Sequence, residues 1–132
     1  MTNISIQNGV LGSVLRNIIG ICALIFCINA SAKPELTKNE YENLFMATFS
    51  YMTVIKACNL KNLYNASDAA LNKTIRYGYE NRLHSTDTER ISQNINFYTA
   101  AGIDAYKNSP KVNCADAANY MQTIIQVVKQ LQ

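Results

Sequence analysis

The chain has 132 residues, 48% of them hydrophobic, with twelve Lys or Arg against nine Asp or Glu and a formal net charge of +3. That length argues for one domain, and a mild basic balance without clustered cations excludes the electrostatic footprint of a nucleic-acid binder. Five Gly and two Pro are too few turn formers for an all-β domain.

Residues 1–32 read as a cleavable signal peptide. Arg16 is the only charge there, the apolar run extends from Ile18 to Ile28, and Ala30-Ser31-Ala32 closes the segment with small residues. A cationic n-region, a short apolar h-region and an A-x-A site predict a cut after Ala32. The apolar run is shorter than the about 20 residues that a spanning helix needs, so the mature protein is not expected to be transmembrane. Ile21 before Cys22 and Phe26 before Cys27 are too bulky for a lipoprotein-type cleavage motif. The mature domain is then 33–132. Removing the signal takes away Arg16, which leaves eleven cations against nine carboxylates and a charge of +2. It also removes Cys22 and Cys27. Cys58 and Cys114 remain, and two cysteines in an oxidising compartment are expected to pair.

The first mature helix opens at Thr37, where Thr37-Lys38-Asn39-Glu40 matches a capping box. Tyr41, Leu44, Phe45, Thr48, Phe49, Met52, Ile55 and Cys58 follow as one stripe at helical spacing. The helix is expected to end near Cys58 or Asn59. Leu60, Leu63 and Tyr64 either extend it or form a short turn. The second helix opens at Ser67, with Asp68 in its first turn, and carries Leu71, Ile75, Gly78 or Tyr79, and Leu83. The third opens on a second capping box, Thr86-Asp87-Thr88-Glu89, carries Ile91, Ile95, Tyr98, Gly102 and Tyr106, and stops at Asn108-Ser109-Pro110. The fourth opens at Asn113 and carries Cys114, Ala117, Ala118, Met121, Ile124, Ile125, Val128 and Leu131. The fold class is therefore all-α. Four helices with short links predict an antiparallel up-down bundle, in which a Cys58–Cys114 disulfide joins the end of helix 1 to the start of helix 4.

The chemistry-bearing residues are few. His84 is the single histidine and falls in the turn between helices 2 and 3, where it is expected to be solvated. Ser85 and Asp87 are its sequence neighbours, but a triad is defined by geometry and not by proximity. One His and two paired Cys cannot supply a structural zinc site. No Gly-rich phosphate loop is present. Acidic pairs such as Glu40 with Glu42, or Asp87 with Glu89, sit in first helical turns, where the helix dipole accounts for them. No catalytic residue, metal or cofactor is assigned.

Two surfaces stand out instead. The bundle topology brings Lys56, Lys61, Lys107 and Lys111 to one end, beside the start of helix 4, as a candidate anion-binding cluster. Tyr51 and Tyr77 fall off the core stripes and, with Lys73 and Arg76 on helix 2, make a candidate partner surface, since exposed Tyr is a common interface anchor. The expectation is an exported, non-catalytic binding protein, of a type that includes secreted virulence-associated effectors. It acts in the periplasm or outside the cell and recognises a protein partner, an anionic lipid or a phosphate ligand. The alternative is a periplasmic chaperone-like or inhibitor/immunity-type protein.

Overall fold

The computed structural model describes residues 35–131; the expected signal segment 1–32 lies outside the described residues. Four helices follow one another: α1 (Lys38–Ala57), α2 (Lys61–Glu80), α3 (Thr88–Asn108) and α4 (Pro110–Lys129). No strand occurs among the described residues, and no helix there is long and apolar enough to cross a membrane.

The start of α1 forms as its sequence dictates. Thr37 accepts a hydrogen bond from the Glu40 N–H at 3.2 Å, and Glu40 accepts one from the Thr37 N–H at 2.8 Å. Leu36 and Tyr41, the N′ and N4 residues, are both buried, which are the positions of a hydrophobic staple. Tyr77 on α2 reinforces the entry by accepting the Leu36 N–H at 3.1 Å.

Both α1 and α2 end in the Schellman arrangement. Leu60 N–H reaches Ile55 O and Asn59 N–H reaches Lys56 O; Leu83 N–H reaches Gly78 O and Arg82 N–H reaches Tyr79 O. The reversal residues, Asn59 at φ 60° and Arg82 at φ 55°, are left-handed. Asn tolerates that region and a bulkier L-residue less well.

Three helix starts differ from the sequence expectation. α2 begins at Lys61, not Ser67. Ser67 is fully buried in mid-helix and its hydroxyl donates to Leu63 O at 2.6 Å, so it bonds back along the helix instead of capping it. Leu63 and Tyr64, packed against the core, reward the extra turn. α3 is capped by Asp87, whose carboxylate accepts from the Arg90 N–H at 3.1 Å, and not by the Thr86–Glu89 pair. α4 begins at Pro110, whose fixed φ suits the first helical position. The Asn113 side chain donates to Ala105 O at 2.9 Å and to Ser109 O at 2.8 Å, so it closes the end of α3.

Chain direction alternates as an up-down bundle requires, and Cys58 is bonded to Cys114 with Cα atoms 5.7 Å apart. A crosslink over 56 residues stabilises by about 4 kcal/mol in the chain-entropy account. The packing order is less symmetric. α1 touches α2, α3 and α4, and α4 touches α1, α2 and α3, but α2 and α3 do not pack against each other. α1 and α4 thus form the central pair, and α2 and α3 flank it. The core consists of Leu36 just before α1, Tyr41, Leu44, Ala47, Tyr51, Met52, Val54 and Ile55 from α1, Ala70, Leu71 and Tyr77 from α2, Ala117, Met121, Ile124, Val127 and Val128 from α4, and Leu131 just after it. α3 buries only Gly102 and Ala105.

Candidate functional site

Because α1 is covered by three neighbours, nearly its whole circumference is buried. The seam left open carries Glu42, Phe45, Phe49, Thr53 and Lys56, which are half-buried or exposed and fall on one face at helical spacing. Its Glu42, Phe45 and Phe49 part floors a groove of about 460 Å³ between α2 and α3. Ile75 and Tyr79 of α2 form one wall, and Ile91 and Ile95 of α3 form the other. A volume of this size is that of a small-ligand pocket.

The floor is an aromatic ladder. Tyr41 and Phe45 have ring centroids 6.3 Å apart, and Phe45 and Phe49 6.4 Å. The turn after α2 closes the far end. His84 Nδ1 lies 3.1 Å from the Tyr41 hydroxyl, and the imidazole packs on Tyr79 at 3.9 Å between centroids. His84 is therefore half-buried and partnered, not the solvated loop residue that its position in a turn suggested. Burial, then the neighbouring Tyr79, pushes the Tyr41 phenol up to about 12, so it remains a neutral hydroxyl at physiological pH. Gly78 lies directly beneath Tyr41: a Cβ at that position would overlap the phenol ring. Ser85 and Asp87 form no triad with His84; the Ser85 hydroxyl accepts the Asp87 N–H at 3.0 Å and shapes the turn.

Glu42 and Arg90 hold the two helix starts of α1 and α3 together at one rim. The guanidinium grips the carboxylate through two contacts, at 2.5 and 3.1 Å. Hydrogen bonding to Glu42 and its negative charge hold Arg90 above its ordinary value.

The tyrosines assigned to a partner surface are not on the surface. Tyr51 is 2% exposed and Tyr77 6%. Tyr51 packs against Tyr120 at 5.7 Å, and Tyr77 binds the Leu36 N–H as described. A single apolar stripe per helix leaves both outside, whereas α1 and α2 bury wider arcs. Lys73 donates to Lys129 O at 3.3 Å, so it completes the C-terminus of α4, while Arg76 is exposed. The large apolar side chains that do reach solvent include Phe49, Tyr79 and Phe97, at 44%, 70% and 59%. Helical spacing puts Phe49 in the core; its exposure reflects its place opposite the unfilled α2–α3 gap, which spacing does not show.

The four lysines are all exposed and all belong to the disulfide end of the bundle. Lys56 and Lys61 line one recess of about 370 Å³ with Asn59, Leu60, Tyr64 and Asn65. Lys107 and Lys111 sit at the α3–α4 junction. Lys56 and Lys107 are in last helical turns, where they complement the helix dipole. Lys61 and Lys111 are in the first turns of α2 and α4, where a cation opposes it. Neither of those starts has a side-chain cap or a carboxylate in its first turn, in contrast to the capped starts of α1 and α3 at the other end. One end of the molecule thus has capped helix starts, and the other is basic with starts that no side chain caps.

No family model matches this chain, and no curated protein or solved structure is detectably similar to it.

Proposed function

We propose that this protein is an exported, non-catalytic binding protein whose binding site is the groove between α2 and α3. The observation that supports this is the pairing of a ligand-sized aromatic cleft with polar groups gathered at one end: Tyr41 with His84, and Glu42 with Arg90 on the rim beside them. Aromatic walls with a few placed polar groups are the usual composition of a site for a ligand with an apolar body. Export rests on the signal-type segment 1–32, and the Cys58–Cys114 bond is compatible with an oxidising destination. A chaperone-like role draws on the same exposed aromatics, but a bounded cleft suits a defined ligand better than assorted unfolded chains.

The test uses the neutral fluorophore N-phenyl-1-naphthylamine with the mature protein. Saturable enhancement is expected from the native chain, weakened about tenfold by Phe49→Asn or Ile95→Asn. These residues line the cleft outside the buried core, and losing one well-packed apolar side chain costs a ligand about 1.4 kcal/mol or more. Enhancement that fails to saturate, or that both variants leave unchanged, overturns the reading.

A further inference from the structure

The aromatic groove and the basic recess lie in line. On α1, Phe45, Phe49 and Lys56 share one helical face, and on α2 Ile75 and Tyr79 share a face with Lys61, Asn65 and Asn72. The two hollows share no lining residue, but the recess lies beyond Phe49 on the line of the groove, so together they mark out one furrow along α1 whose far end is Tyr41, Gly78 and His84. From Tyr41 to Lys56 the furrow follows about 22 Å of α1, at 1.5 Å rise per residue.

We propose that the furrow binds a single-chain amphiphile with an anionic head, specifically a free long-chain fatty acid, with its chain on the aromatic ladder and its carboxylate at Lys56 and Lys61. The inference rests on the groove reading above and adds the ligand class. The shape selects one chain. The floor is one ring wide, a single file of Tyr41, Phe45 and Phe49, and its far end is shut by the Tyr41–His84 contact. The charge selects the head and its direction. At the mouth, two ammonium groups and the uncapped start of α2 all favour an anion. At the closed end Glu42 already occupies Arg90, and Arg82 in the adjoining turn is exposed and does not line the groove. Asp68 is the one carboxylate on the α2 face between mouth and groove, and like-charge repulsion confines the head to the turn around Asn59 and Leu60. The placement of Lys61 against its helix dipole, costly in the empty protein, is offset when a carboxylate sits beside it.

The experiment is displacement of N-phenyl-1-naphthylamine by myristate and by tetradecanol, which differ only in the head. Myristate is expected to displace the probe at about tenfold lower concentration, as two exposed ion pairs of ordinary strength would give. Lys56→Gln with Lys61→Gln should abolish that preference while leaving the probe and the alcohol unaffected. High salt should shrink the preference in the native chain. Equal displacement by acid and alcohol, or a preference that survives the double substitution, overturns the fatty-acid assignment while the groove reading stands. Failure of the neutral probe itself to bind marks the failure of the groove reading instead. Acid that binds only when presented in vesicles, and not as monomer, also overturns the assignment by placing the source in a membrane surface.

Discussion

Single residues at the closed end of the groove carry more structural weight than their types suggest. Gly78 is in the last turn of α2, a helical position where Ala normally stabilises by up to about 1 kcal/mol. Here the Tyr41 ring lies over its Cα and a methyl group would overlap it. Overpacking of this kind costs about 1–3 kcal/mol, and it exceeds the propensity gain. Gly78→Ala is therefore expected to lower the urea midpoint, by about 1–2 kcal/mol in unfolding free energy. Tyr41→Leu, which clears the space above residue 78, should make the same Gly78→Ala change neutral or favourable. A stabilising effect of Gly78→Ala in the native background would contradict the close approach.

Helix boundaries show where local signals and packing disagree. Ser67-Asp68 and Asp87-Thr88 are equally good cap signals in sequence, yet only Asp87 caps. Asp87→Ala is expected to cost about 1 kcal/mol of stability, whereas Ser67→Ala, which removes only a bond back to Leu63 O, should change it by a few tenths of that. Thermal unfolding of the two variants separates them, and a larger loss at Ser67 would argue for a shorter α2. The four helices, the opening box at Thr37 and the Cys58–Cys114 pairing were legible because each rests on near neighbours in sequence or on one topological constraint. The basic end was legible for the same reason: helix directions alone place Lys56, Lys61, Lys107 and Lys111 there. The groove was not, since it depends on which helix pairs fail to meet. Apolar spacing marked Tyr41, Phe45 and Phe49 as buried and left Tyr51 and Tyr77 outside, because it cannot tell how many neighbours cover a helix. Tyr51 at 2% exposure and Phe49 at 44% reverse those assignments for one reason: α1 is central, and its open seam faces the α2–α3 gap.

At the scale of the whole molecule, the central α1–α4 pair is tied at one end by the disulfide, and α2 rests on both with Leu71, Thr74 and Tyr77 buried. α3 is held differently. It buries only two small residues, Gly102 and Ala105, and its polar ties are at its ends, Arg90 to Glu42 and Asn113 to Ala105 O. α2 does not brace it, and it packs on α1 and α4 with Tyr98, Ile103 and Tyr106 only half-buried against the core. Local opening free energy follows buried contact, so amide hydrogens in the middle of α3 should exchange with solvent faster than those of α1 or α4. Uniform protection across the helices would argue against this unequal anchoring. The cleft therefore has one wall seated by fully buried side chains and one seated mainly by half-buried ones, and the second is the wall expected to yield when a ligand enters.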